Sequence, residues 1–376
     1  MNRVVILGNH TQGLGIVRSL KEYPVEVHMI NDRNIALARF SKYLDSYHCL
    51  SRGTFSSLSD SSSASLLLEE LNKIAVSEEK ISVFCTDEDL VYFMNANRDS
   101  LDIAYKLPEN DIELITDKYC FYQLLRSLGL HSPRTCLLSE FCDQANEFLE
   151  EGFLLKGRRG ALFRHLTKQK AVQIKSALDI QSFNADVDIP SDQVIVQEIL
   201  KQNIKVLSVC GFSVNGEMYE EFQYIKVRQR PSKYGTGTFL KSIYDLRLSD
   251  LAETLIGGLR YTGIFEIEAM LDDDMYKVIE MNPRTWKSIN FASDCGVNLC
   301  RSYCDFLFKN VLPEKARRTA KIDHSWTHLS QDLISMITTW SFDRRAAKSH
   351  YCVFDRHDLL PFIMEGVLMP LILLKV

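Results

Sequence analysis

Five side chains able to do chemistry crowd one short stretch of the chain: Glu266, Glu268, Glu280, Asn282 and Arg284. Gly263–Met270 alternates in the manner of a strand, Asp272-Asp273-Asp274 reads as a turn, and Tyr276–Met281 reads as the returning strand. With a three-residue turn, Glu266, Glu268, Val278 and Glu280 share one face, because side chains alternate with period two. Glu268 then lies diagonal to Glu280, at roughly 7–8 Å. Like charges that close repel, so a hairpin selected for stability alone would avoid them. A bound Mg²⁺ resolves the conflict, since hard divalent cations take carboxylate and phosphate oxygens. Asn282 offers a further neutral oxygen, Pro283 fixes the exit, and Arg284 presents a planar donor fork suited to phosphate or carboxylate. The plain alternative is an exposed acidic hairpin with a solvated arginine.

Other stretches compete for attention. Arg3–Leu7, the turn from Gly8 to Gly13, a helical stretch Leu14–Lys21 and the strand Val25–Ile30 make a βαβ opening. The glycines at 8, 13 and 15 do not form GxGxxG, yet Asp32 follows the second strand where a dinucleotide fold places its ribose acid, so a nicotinamide oxidoreductase is an alternative. Thr86-Asp87-Glu88-Asp89 ends the strand Ile81–Cys85, where open α/β sheets place ligands; Asp87 or Asp89 equally suits a helix cap. Thr116-Asp117 caps a helix running to about Leu128, and Gly129 stops it. His324 and His328 stand four apart without an acidic partner and read as core or surface histidines. Cys295, Cys300 and Cys304 fit no common zinc spacing.

The elements that must position these groups alternate irregularly. At 376 residues the chain calls for two or three packed subdomains. A net charge of −5 argues against non-specific nucleic-acid binding. Ten scattered cysteines without a CxxC pair suit a reducing cytosol, and no leader is expected from the strand-like Met1–Leu7. The apolar tail from Leu359 is broken by Pro361, Glu365, Gly366 and Pro370, too soon for a membrane span of roughly 20 residues. The expected fold class is therefore α/β followed by α+β.

The run Glu280-Met281-Asn282-Pro283-Arg284, preceded by Gly263-Ile264-Phe265-Glu266-Ile267-Glu268, resembles the metal-binding hairpin of ATP-grasp enzymes. The resemblance implies that Glu268, Glu280 and Asn282 hold two Mg²⁺ ions (Mn²⁺ can substitute) bridging the phosphates of ATP. It also implies that Arg284, with Arg228 or Lys226, holds an acyl phosphate. Asp117-Lys118 opening a helix looks like the start of a nucleotide-clamping lobe, with Lys118 near the nucleotide. Lys156, ending Phe-Leu-Leu-Lys, matches the lysine that meets the α- and β-phosphates. The strand Val194–Leu200 resembles the hinge whose backbone reads adenine, with Gln197, Glu198, Ile199 and Leu200 as the implied contacts. The loop after Lys156 departs from the family: it is short and basic rather than glycine-rich, and Arg158, Arg159 and Arg164 are candidate phosphate donors in place of backbone amides.

What the resemblance implies is a Rossmann-like pre-ATP-grasp domain over 1–113 and a two-lobed ATP-grasp domain over 114–192 and 193–320. A C-terminal helical extension is expected over 321–376. The implied reaction activates a carboxylate as an acyl phosphate and joins it to an amine, releasing ADP and phosphate. Expected partners are small-molecule carboxylate and amine substrates in the cytoplasm, with no nucleic acid and a homodimer left open. Rival readings are an ATP-grasp carboxylase or other non-amine ligase, and a catalytically silent ATP-binding protein.

Overall fold

The computed structural model describes residues 1–8, 10–75, 79–141, 152–200, 205–232, 235–272, 274–315, 320–342 and 346–373. Asn9 and Asp273, both placed in turns by the sequence, lie outside them. The chain is a mixed α/β protein with three sheets.

The first sheet is parallel, with β1 (Arg3–Leu7), β2 (Glu26–Asn31), β3 (Ser46–Cys49) and β4 (Ile81–Cys85) in the order β3-β2-β1-β4. Strands β1 and β4 are buried on both faces because both are covered. Val4 and Ile6 join the core shared with the helix His10–Ser19. Val5 and Leu7 face the helices Ser61–Ile74 and Glu88–Ala96. Gly8 turns the chain at φ +104°, and a Cβ there would stand 2.0 Å from Thr86 Oγ1, so only glycine fits. At Gly15 a Cβ would meet Ile289 at 2.9 Å. These glycines serve a turn and a helix contact rather than a pyrophosphate loop.

The second sheet is antiparallel, with β5 (Thr135–Leu137), β6 (Phe153–Gly157), β7 (Val172–Ile174) and β8 (Val194–Glu198) in the order β5-β8-β6-β7. Here the structure corrects the sequence reading of the stretch after Lys156. Gly160–Thr167 is a helix rather than a lid-like loop. Phe163 is the physical reason: it is wholly buried, stacks on Phe183 and anchors the turn in the core beside this sheet.

The third sheet has seven strands: β9 (Val206–Val214), β10 (Glu217–Arg230), β11 (Thr236–Ile243), β12 (Gly263–Asp272), β13 (Met275–Asn282), β14 (His324–Thr327) and β15 (Lys348–Tyr351). Their order is β13-β12-β9-β10-β11-β14-β15. One face packs on Leu246–Leu259, whose Leu248, Leu251, Leu255 and Ile256 meet Val209, Ile267 and Ala269. The other face sends Phe212, Phe222 and Tyr224 against the helices that join it to the first sheet, Ile289–Asp294 and Leu299–Lys309.

The segment expected to be a helical extension differs in one respect. Besides the helices Leu329–Thr339 and Leu360–Leu373 it supplies β14 and β15, which extend the free edge of β11. Trp326 on β14 is fully buried and donates from Nε1 to Asn290 Oδ1 at 3.1 Å. Among the described residues no helix is long and apolar enough to cross a membrane. If this extension is part of the core, Trp326→Ala will lower the unfolding free energy by about 3–5 kcal/mol, as loss of a buried aromatic side chain does. Urea titration checks it; a loss below about 1 kcal/mol would mean the segment only rests on the surface.

Candidate active site

A cleft of about 760 Å³ opens where the three sheets meet. Gln197 and Glu198 at the end of β8, Glu266 and Glu268 on β12, Glu280 and Asn282 on β13, and Thr86–Glu88 after β4 all line it. The acidic hairpin is more tightly built than its sequence suggests. Asp272 pairs with Met275, so the turn has two central residues rather than three, with Asp274 at φ +64°. Glu266 pairs with Asn282 and Glu268 with Glu280, and then Ala269 pairs with Val278, leaving Ile279 as the extra residue of a bulge.

Two expectations are corrected by that register. Glu268 stands directly opposite Glu280 rather than diagonal to it, and Val278 is wholly buried in the core beside Ala269 instead of sharing the carboxylate face. The cause lies outside the hairpin. Val278 N–H donates to His131 O at 2.8 Å, and Tyr122 Oη donates to Ile279 O at 2.6 Å, so the groups freed by the bulge find partners.

Electrostatics around the carboxylates are strongly biased. Lys226 Nζ donates to Glu268 Oε1 at 2.6 Å. Glu266 accepts from Tyr224 Oη and, at 2.8 Å, from Asn282 Nδ2. Burial first, and the Glu268 charge second, push the Glu266 carboxyl up to about 7. At Glu280 burial acts in the same direction, but Lys118, Lys226, Lys170 and Arg284 outweigh it and hold its carboxyl below the ordinary range. Burial and the Lys118 charge bring the Lys156 ammonium down to about 8, against Glu280. Lys156 Nζ donates to Gln197 Oε1 at 2.6 Å, and Gln197 Nε2 to Thr135 Oγ1 at 3.0 Å.

Arg284 joins the hairpin to the first sheet. Its Nη2 donates to Asn282 Oδ1 at 2.9 Å and lies 3.4 Å from Glu88 Oε1, while Nη1 donates to Thr285 O at 2.8 Å. Thr285 Oγ1 in turn donates to Cys85 O, and Gln12 Nε2 to Thr285 O. Asp87 caps the helix Glu88–Ala96 and also lines the cleft, so its two sequence readings coexist. Asp32 instead accepts from the amides of Gly53 and Phe55 at 3.1 and 3.3 Å, which occupies the acid that a ribose would need.

Of the expected nucleotide residues, Lys118, Lys156, Gln197, Glu198 and Leu200 line the cleft, and Ile199 is not among its lining residues. The Glu198 carboxylate pairs with Arg134 and Lys277, at 2.8 and 2.9 Å. Arg164 reaches the cleft; Arg158 pairs with Asp117, the cap of Lys118–Ser127, and Arg159 with Glu113.

Arg228 is the expected catalytic residue that the structure does not bring in. Lys226 pairs with Leu240 and Arg228 with Phe239, so Val227 is skipped and Arg228 turns to the opposite face from Lys226. There it is buried in a two-point ion pair with Asp332, at 2.8 Å on each contact, with its guanidinium 4.2 Å from the Phe239 ring centre. Conversely, sequence reasoning overlooked Trp286, Lys287 and Glu365 and set His328 aside, although all four line the cleft. Burial and Lys287 bring the His328 imidazole down to about 3, and burial keeps the Lys287 ammonium below its usual value. Only the position of Lys287 just past the hairpin exit hinted at this wall.

No family model matches the chain. The curated multifunctional protein URA2 of Saccharomyces cerevisiae is 25% identical over 215 residues, which is 55% of this chain. The chain spans 10% of that protein's length. Among solved structures, L-amino acid ligase from Bacillus licheniformis is similar at TM-score 0.65 and 13% identity, covering 86% of this chain and 78% of that one. The ADP complex of N5-carboxyaminoimidazole ribonucleotide synthetase gives 0.63 and 14%, covering 84% and 79%. The ATP-analogue complex of biotin carboxylase from Campylobacter jejuni gives 0.63 and 16%, covering 86% and 74%. At these identities the likeness is one of fold, and that fold is the ATP-grasp fold implied by the hairpin resemblance.

The burial of Arg228 gives a direct test of its reassignment. Arg228→Ala will cost about 3–5 kcal/mol of stability by removing the guanidinium that pairs with the buried Asp332 carboxylate, while the double change Arg228→Met with Asp332→Leu will cost less than Arg228→Ala alone. Urea unfolding of both variants checks this; a single variant within about 1 kcal/mol of the parent would contradict it.

Proposed function

We propose that the chain is an ATP-dependent ligase that phosphorylates a small carboxylate and couples the acyl phosphate to an amine. The observation that carries this reading is the meeting of Glu268, directly opposite Glu280, with Lys118, Lys156, Lys226 and Arg284 in one cleft. In this reading residues 1–113 are a Rossmann-like pre-ATP-grasp domain, 114–192 and 193–320 are the two lobes, and the segment 321–376 closes the far side of the cleft.

The donor set fits Mg²⁺. Two carboxylates stand face to face, Glu268 opposite Glu280, with the side-chain oxygen of Asn282 lining the same cleft. Glu268, Glu280 and the side-chain oxygen of Asn282 would hold the metal, which when bound supplies charge neutralisation at the phosphates of ATP.

The chain's own groups position the reactants. Lys156, kept in place by Gln197, and Lys118 draw charge from the nucleotide phosphates. The chain around Glu198–Leu200 is the adenine edge. A substrate carboxylate oxygen attacks the γ-phosphorus, the bond to the β-phosphate oxygen breaks, and ADP leaves. Arg284, whose fork is already directed by Asn282 and Thr285, holds the acyl phosphate. An amine nitrogen then attacks the acyl carbon, phosphate departs, and the nitrogen loses a proton. Closure of the lobes keeps water from that intermediate.

Two other readings have support of their own. Biotin carboxylase is among the similar structures, which favours a carboxylase; the helix Gly160–Thr167 in place of a glycine-rich lid favours a silent nucleotide binder.

The deciding experiment is a screen of amino acids and small carboxylates, with and without amines, for ADP and phosphate release from ATP. The expected result is release that requires both a carboxylate and an amine. Release driven by bicarbonate without an amine would move the protein to the carboxylases, and ATP binding without release would make it silent. Glu280→Gln will abolish turnover while leaving the melting temperature in the absence of nucleotide within a few degrees. Arg284→Lys will slow turnover by about 10²-fold with a modest change in ATP affinity, because lysine keeps the charge and loses the fork. A strong loss of ATP affinity at full turnover would remove Arg284 from the acyl phosphate.

A further inference from the structure

Outside the cleft, Cys295, His324 and His350 bring one sulfur and two imidazoles together, with their ligand atoms all within 4.8 Å of one another. None of the three lines the cleft. Each is fixed by a different element. Cys295 ends the helix Ile289–Asp294, and its carbonyl accepts from Lys321 N–H at 2.9 Å. His324 opens β14, where its N–H donates to Ser242 Oγ at 2.9 Å. His350 lies on β15, which runs parallel to β14 with His324 opposite Lys348. The two histidines are therefore a diagonal pair on one face of the sheet, the face turned toward the helix end that carries Cys295.

We propose that Cys295, His324 and His350 form a binding site for one divalent transition ion of the Zn²⁺ class, with Asp294 behind His350. The rings stand with His324 Nδ1 2.9 Å from His350 Nε2 and planes 24° apart. Tetrahedral zinc, with bonds of about 2.0–2.3 Å, keeps its ligand atoms about 3.3–3.6 Å apart, so small side-chain rotations convert this cluster into a metal site. The other nitrogen of His350, Nδ1, faces Asp294 Oδ2 at 3.7 Å. If the rotation that admits the ion closes this gap, the carboxylate will hold the proton on Nδ1 and leave Nε2 as the ligand, the usual support of a zinc-bound histidine. One thiolate and two imidazoles are soft enough to select Zn²⁺ over Mg²⁺, so the ion of this site does not compete for the carboxylates of the cleft.

The molecule supplies its own control. His28 and His48, on β2 and β3, form a second pair with nearly the same geometry, Nδ1 to Nε2 at 3.1 Å and planes 30° apart. That pair is completed by Glu26 and Glu70, at 3.6 and 2.8 Å, with no thiol in the cluster. A histidine pair alone is thus a hydrogen-bonding arrangement in this fold, and the buried sulfur is what distinguishes the Cys295 cluster. A bound ion clamps β14 and β15 to the helix Ile289–Asp294, so its role is to fasten the C-terminal segment rather than to take part in ligation.

Titration of the full, metal-free chain with Co²⁺ tests this without an activity assay. The expected result is one equivalent bound, with the ligand-field bands of a tetrahedral ion and a sulfur-to-cobalt charge-transfer band, both displaced by Zn²⁺. Zn²⁺ should also raise the melting temperature of the chain. Cys295→Ser should remove the charge-transfer band, His350→Ala should weaken binding at least 10-fold, and His28→Ala should change neither. Binding without the charge-transfer band, a band that survives in Cys295→Ser, or no saturable binding at micromolar Co²⁺ would each overturn the proposal. Should Cys295→Ser fail to fold, the spectrum of the native chain together with His324→Gln decides on the same criteria.

Discussion

Glu268 and Glu280 face each other across a strand pair, where side-chain origins lie only about 4.5–5.5 Å apart. At that separation, and at an effective dielectric near 20, two full charges repel by about 3 kcal/mol. Much of the neighbouring architecture answers this repulsion. Lys226 reaches across from β10 to Glu268; Lys118 begins a helix aimed at Glu280; Asn282 and Tyr224 hold Glu266 by hydrogen bonds. Even so, burial first and the Glu268 charge second push the Glu266 carboxyl up to about 7.

A bulge adjoins this pair, at Ile279. A regular antiparallel ladder would have carried the carboxylate face on through Val278, taking that side chain out of the core. Skipping Ile279 returns Val278 to the core and lets the carboxylate face stop at Glu280. Because His131 and Tyr122 take up the hydrogen bonds so released, the helix Lys118–Ser127 and the chain just beyond it set the geometry of a hairpin more than a hundred residues later. Arg284 extends the arrangement to the first sheet through Glu88 and Thr285, so all three sheets contribute to one electrostatic unit.

Much of this was legible from local pattern. The hairpin, the cap at Asp117, Lys156 at a strand end and the βαβ opening each depend on residues close in sequence, and each lies where its pattern placed it. What escaped depends on distant partners. Arg228 shares the alternation of Lys226 on paper, but a skipped residue at Val227 reverses its face toward Asp332, more than a hundred residues away. The helix Gly160–Thr167 forms because Phe163 finds Phe183 in the core beside the second sheet. Strands β14 and β15 are four residues each, too short to show a period, and exist because β11 offers an edge. Lys287, His328 and Glu365 meet in the cleft only through tertiary packing, so no spacing could have joined them.

In the proposed reading, the facing carboxylates are a metal site that becomes complete only with nucleotide. The most direct measurement is the ATP-induced change in melting temperature, recorded with and without Mg²⁺ in otherwise identical buffer, for the parent and for Glu268→Gln. A shared site gives a rise of several degrees with Mg²⁺ and ATP together, little change with ATP alone, and loss of the Mg²⁺-dependent part in the variant. An equal rise without Mg²⁺, or one that Glu268→Gln leaves intact, would contradict it.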